Sequence, residues 1–116
     1  MSFDYQIAHE DGIAIVRLAG RLDSATAGAF EKPLLELFQA PGSRVLMDFG
    51  ALEYISSAGL RVVLMAAKRA KQSPGVLVLC ALAPQVRDVF EISGFLKILD
   101  AVADRDSALA RLHATA

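Results

Sequence analysis

Ser56 and Ser57 are the side chains in this sequence best placed for chemistry, because they stand where an apolar strand gives way to an amphipathic helix. Upstream, Val45-Leu46-Met47 is a continuous apolar run closed by Asp48, the pattern of a strand buried on both faces of a parallel sheet. Downstream, Leu60, Val63, Leu64 and Ala67 recur at helical spacing, while Arg61, Lys68, Arg69 and Lys71 fall elsewhere on the wheel. The first N–H groups of a helix lack intrahelical acceptors, and a serine hydroxyl at this position accepts one of them. Adjacent serines supply one hydroxyl more than a cap needs. The same helix end carries roughly half a positive charge, so it tolerates a phosphate on a serine hydroxyl. The junction therefore reads as a cap together with a regulatory phosphorylation site.

The surroundings argue against catalysis by these serines. A nucleophile elbow needs glycine two residues to either side, and Ser57 has Ile55 on one side and Gly59 on the other. A base is also needed, but His9 lies in a hairpin turn and His113 near the chain end, and neither has a Cys or second His at metal-ligand spacing. No G-x-x-x-x-G-K-[ST] or G-x-G-x-x-G occurs. Cys80, inside VLVLCAL, reads as a buried free thiol with no disulfide partner in the chain. No enzymatic activity, cofactor or metal is expected.

The elements that hold the serines follow from periodicity. Phe3, Tyr5 and Ile7 alternate with polar residues in a half-buried strand, and Asp11-Gly12 turns it into an antiparallel strand over Ile13 to Leu18. Gly20 to Ser24 reads as a loop, with Asp23 or Ser24 capping a helix through Ala25, Phe30, Leu34, Leu37 and Phe38, which Pro33 kinks or restarts. Strand and helix alternate from Arg44 to Ala83, which predicts a parallel βαβ unit, with Phe49 to Glu53 as a short connection to the serines. Asp48 then stands at a strand's carboxyl end, where a turn hydrogen bond is its expected role. Pro84 opens a third helix ended by Ser93-Gly94, Phe95 to Leu99 forms a short edge strand, and Asp104 caps a last helix whose tail frays. With 116 residues, 54% hydrophobic, the chain suits one domain, 1–116, with a real core. A net charge of −1 with dispersed Lys and Arg favours neither nucleic acid nor an anionic membrane, and no apolar run approaches the ~20 residues of a membrane span. A cytoplasmic monomer is expected.

The Ser56-Ser57-Ala58-Gly59-Leu60 turn and the upstream Gly20-Arg21-Leu22-Asp23 resemble the STAS domains of bacterial anti-sigma factor antagonists. Ala81 to Val86 is similar to the family's turn into its third helix, and Ser93-Gly94-Phe95 through Leu99 to its Ser-Gly-Leu segment. The resemblance implies an α/β fold with a mixed, mostly parallel sheet of about four to five strands and about four helices. Aligning Gly59-Leu60 with the family's Gly-Leu makes Ser57 the phosphoacceptor, and Ser56, standing where well-known members have Asp, is its rival. The resemblance also gives Asp23 a place beside the acceptor on the surface that a kinase sees. Its implied partners are an anti-sigma factor with serine kinase activity, bound by the unphosphorylated form so that a sigma factor is released, and a PP2C-type phosphatase that resets the cycle.

Beside the acceptor, Ala58, Val62 and Met65 form a second apolar set on the helix. Exposed, they make a partner-binding patch flanked by Arg61 and Arg69; buried, they make the helix apolar on two sides. Asp23, Ser56, Ala58, Gly59, Arg61, Val62 and Met65 are thus the expected partner-binding residues. Arg61, one turn beyond Ser57, is also in position to meet a phosphate. The alternative function is a constitutive STAS subunit or scaffold of a larger assembly, either a stress-signalling complex or a transporter accessory.

Overall fold

A computed structural model describes residues 3–115, organised by a five-stranded sheet of order β1-β2-β3-β4-β5. β1 (Phe3–Glu10) and β2 (Ile13–Leu22) pair antiparallel. Asp11 and Gly12 between them have φ of 52° and 78°, the positive values that a two-residue hairpin loop demands and that an Asp-Gly pair supplies at low strain. β3 (Arg44–Ile55), β4 (Val76–Cys80) and β5 (Asp100–Val102) continue the sheet in parallel.

Each parallel step is bridged by a helix: α1 (Ala27–Glu36), α2 (Ser57–Gln72) and α3 (Pro84–Ile92). They share one core with Val45, Met47 and Phe49 of β3, while α4 (Arg105–Ala114) covers the opposite face, setting Ala108 and Leu112 over Ile13, Ile15, Leu46, Val78 and Cys80. β3 thus feeds both cores by alternation, which is why its sequence reads as an unbroken apolar run. The result is the expected α/β class: a mixed, mostly parallel sheet with four α-helices. No helix among the described residues is long and apolar enough to cross a membrane.

Several boundaries depart from the sequence reading. β3 does not stop at Asp48 but runs through the expected Phe49–Glu53 connection to Ile55, because β2 also continues, from Leu18 into the expected Gly20–Ser24 loop, and pairs with it as far as Leu22 and Ile55. The register shifts between Arg17 and Ala19 and between Gly20 and Arg21, and Gly20 takes φ of 86°, so the bulge sits at a residue free to adopt it. α1 starts after Thr26, leaving Asp23 and Ser24 in the preceding turn, and runs unbroken through Pro33, whose missing N–H leaves the Ala29 carbonyl without its helical donor. Phe38 is fully buried but lies past the end of α1. Phe95–Lys97 is a turn of 3-10 helix, not a strand, and the edge strand is the following β5. α4 keeps its expected Asp104 cap, with the Ser107 N–H donating to Oδ1 at 2.8 Å, and includes His113; of the expected frayed tail, residue 116 lies outside the described residues.

Candidate functional site

The carboxyl end of β2 and the start of α2 are locked together by Leu22 and Gly59. The Ser56 N–H donates to the Leu22 carbonyl at 2.9 Å, and the Leu22 side chain is fully buried beneath the helix start. A Cβ on Gly59 would lie 2.8 Å from both the Leu22 Cγ and the Leu22 carbonyl oxygen, and 3.0 Å from the Ile55 Cγ1. Only glycine permits that approach. Gly59 therefore works from inside as the seat of α2, and its expected place on a partner-facing surface is corrected: the residue is buried.

The serines differ in what their hydroxyls bond. Ser56 has extended backbone, φ −92° and ψ 175°, and its Oγ accepts the Gly59 N–H at 3.2 Å while its carbonyl accepts the Leu60 N–H at 2.8 Å. It is the N-cap. Ser57 is the first helical residue and is exposed, and its hydroxyl has no hydrogen-bond partner among the described residues. No carboxylate occupies the first turn of α2, whereas Arg69 and Lys71 occupy its last, so the partial positive charge at the Ser57 end is left uncompensated. Arg61 is exposed one turn beyond Ser57.

Asp23, next to Leu22, is drawn to the same end of the sheet. Its Oδ1 accepts from the Ala25 N–H at 3.0 Å, the Thr26 N–H at 3.2 Å and the Thr26 hydroxyl at 3.2 Å, and its own N–H donates to Thr26 Oγ1 at 3.0 Å. Asp23 thus folds the turn that enters α1, directly after the Leu22 carbonyl that accepts the Ser56 N–H. The Gly-Arg-Leu-Asp and Ser-Ser-Ala-Gly-Leu segments, 36 positions apart from Gly20 to Ser56, form one structural unit.

Residues 4–108 match the model of the STAS domain. The chain belongs to the STAS domain family. It is 50% identical over 100 residues, 86% of each chain, to a putative anti-sigma factor antagonist, BtrV, of Bordetella bronchiseptica. Its fold superposes with a TM-score of 0.85 on the crystal structure of an anti-sigma factor antagonist from Mycobacterium paratuberculosis, at 23% identity over 97% of this chain and 95% of that one. It also superposes, with a TM-score of 0.71 and 23% identity over 94% of this chain and 99% of that one, on the Bacillus cell fate determinant SpoIIAA in its phosphorylated form.

Within this STAS domain, the second apolar set on α2 takes the more buried of the two arrangements open to it. Val62 is 3% exposed, Ala58 is half-buried against the core, and Met65 is half-buried. The reason is α1, which packs beside α2 and covers the side that those residues share. The buried stripe is Gly59, Val62, Val63, Ala66 and Ala70, and the outward line is Ser57, Arg61 and Lys68, with half-buried Leu64 between them.

The sequence reading passed over Arg21 and Tyr54. They face each other in register across β2 and β3, with the Arg21 guanidinium 4.1 Å from the centre of the Tyr54 ring, beside the Leu22 and Ser56 contacts. The available signal was their position: each lies one or two residues before a site residue, on strands whose extent the periodicity understated. Asp48 does have its turn hydrogen bond, from the Gly50 N–H to Oδ1 at 2.9 Å, but its Oδ2 is held by Arg105 of α4 at 2.9 Å, which makes it a clamp between sheet and helix, apart from the serines. Cys80 is fully buried, and its thiol is pushed up to about 12, first by desolvation and then by the Asp48 charge.

Proposed function

We propose that this STAS protein is an anti-sigma factor antagonist whose unphosphorylated form binds an anti-sigma factor with serine kinase activity, so that a sigma factor is released, and that phosphorylation of Ser57 ends the binding. The observation that carries this reading is the division between the serines: the Ser56 hydroxyl is occupied by the cap, while that of Ser57 stands free at the positive end of α2. The relatives' names support the antagonist role, and the phosphorylated form of SpoIIAA is a precedent for the modification on this fold.

A phosphoryl group adds about −1.5 to −2 charge at neutral pH. At a helix N-terminus with Arg61 one turn away, that charge is tolerated, so the fold persists and the effect falls on the partner. A surface that had packed against a hydroxyl must now accept a dianion. A loss of ~3 kcal/mol lowers affinity by more than about a hundredfold, enough for a switch. Asp23, Ser56 and Arg61 frame this surface, half-buried Ala58 and Met65 lie at its edge, and Gly59 and Val62 support it from beneath. The protein is then the substrate of the kinase and of a PP2C-type phosphatase, and catalyses neither step.

The test is incubation with ATP and a candidate anti-sigma kinase, read by intact mass and peptide mapping. One phosphate on Ser57 is expected, absent in Ser57→Ala, which still binds the kinase. Mapping to Ser56, or continued phosphorylation of Ser57→Ala, would remove the assignment.

A further inference from the structure

Among the described residues, the large apolar side chains left most open to solvent are Ile92, 88% exposed, Ile98, 59% exposed, and Tyr54, 39% exposed. Tyr54 has Arg21 over its ring; the isoleucines have no such cover. Ile92 is the last residue of α3, and Ile98 follows the 3-10 turn. Ile98 closes a shallow groove of about 310 Å³ whose floor and walls are Leu64, Ala67, Lys68 and Lys71 of α2. Ile92 does not line this groove.

The charges on knob and groove are complementary. Asp88 lies one helical turn before Ile92 on the same face of α3 and makes no ion pair among the described residues, whereas Glu91 is taken up by Arg87 at 3.1 Å. Lys68 and Lys71, at the groove, also make none among the described residues. One chain therefore carries an aliphatic knob with a carboxylate beside it and an aliphatic groove with ammonium groups beside it.

We infer that two copies of this chain associate about a two-fold axis, Ile92 of each copy entering the groove of the other formed by Leu64, Ala67 and Ile98, with Asp88 meeting Lys68 and Lys71. A second copy is the fitting occupant because the charges are complementary and α3 packs on the 3-10 turn that leads into Ile98, which sets knob and groove side by side, so a two-fold axis engages both halves in one closed contact. The groove lies toward the far end of α2: Leu64 and Lys71 stand about 10 Å and about 21 Å from Ser57 at the rise of an α-helix, so the contact leaves the Ser57 end open and borders the proposed partner surface at Met65.

Sedimentation velocity of the unphosphorylated full chain, from about 10 µM to about 1 mM, tests the proposal by mass action. The weight-average mass should climb from the 12.4 kDa monomer toward twice that value as concentration rises. Ile92→Lys, at a site too exposed to disturb the fold, should remain monomeric throughout. Asp88→Lys alone, and Lys68→Glu/Lys71→Glu alone, should each weaken association by about tenfold or more, since every ion pair becomes a like-charge contact. An equimolar mixture of these charge variants should dimerise again, because each reciprocal half is then oppositely charged. A wild-type chain that stays monomeric, a dimer that survives Ile92→Lys, growth past the dimer into open assemblies, or a mixture that fails to reassociate would each overturn the inference.

Discussion

Ser56 and Ser57 are neighbours of the same type, yet one peptide unit changes what each can do. Ser56 is extended and turns its hydroxyl back to the Gly59 N–H; Ser57 is helical and points away. Replacing the cap should therefore cost stability, and replacing the free hydroxyl should not. In urea unfolding, Ser56→Ala is expected to lose about 1 kcal/mol and Ser57→Ala less than about 0.5 kcal/mol. Equal losses would mean that the cap is shared. Gly59→Ala is the harsher change, because a methyl group there meets a backbone carbonyl that cannot swing aside. A loss of about 1–3 kcal/mol is expected. The damage should fall on the acceptor as well as on the fold, since α2 must tilt off Leu22 to make room. Phosphorylation of Gly59→Ala at a temperature where the variant is fully folded, compared with wild type, measures that second effect.

At the scale of elements, Asp48 shows why some boundaries were legible and others were not. The apolar run of β3 and the change of period after Leu60 are local signals, and they located the central strand and α2 correctly. Asp48 is a charged residue that ended the run by every local criterion. It belongs inside the strand because Arg105, 57 residues later, meets its carboxylate, a partner that no local window contains. The extension of β2 and β3 past Leu18 and Asp48 was hidden in the same way, since the pairing of Gly20 with Leu52 and Leu22 with Ile55 is a relation between segments. Val62 lies on a side of α2 whose apolar residues fit an exposed patch and a buried face equally well, and the wheel does not reveal that α1 lies beside it. The site motifs themselves were legible, but which serine caps α2 was not, because one residue of helix phase decides it. The clamp is testable as an element contact. Asp48 is 15% exposed and Arg105 41%, so solvent screens part of their attraction, and a double-mutant cycle over Asp48→Ala and Arg105→Ala should give about 1 kcal/mol of coupling. A coupling indistinguishable from zero would show that α4 is held by its other contacts, chiefly Ala108 and Leu112 in the core and Arg111 against Asp100.

On the scale of the whole molecule, the sheet separates the proposed switch from the rear core. Ser57 and α2 lie on the face with the larger cluster, whereas Cys80 points into the smaller cluster under α4, beside the Asp48 clamp. That rear core has its own signature in pH. The native thiol keeps its proton up to about 12, while in the unfolded chain it begins to lose it near the ordinary value of 9.0. Between those values the unfolded state binds fewer protons than the native state, so stability present below pH 9 is lost as pH rises toward 12. The slope for one thiol is at most about 1.4 kcal/mol per pH unit. Cys80→Ala is less stable at neutral pH because it leaves a small cavity, but it lacks this slope, and the wild-type advantage should shrink steadily above pH 9 in parallel urea titrations. An advantage that stays constant with pH would mean that water reaches the thiol and that the rear core is looser than its burial implies. Because a phosphate on Ser57 is added across the sheet, phosphorylated and unphosphorylated protein should show the same alkaline slope. A slope that changes on phosphorylation would mean that the switch is transmitted through the sheet to α4 and does not act only on the partner surface.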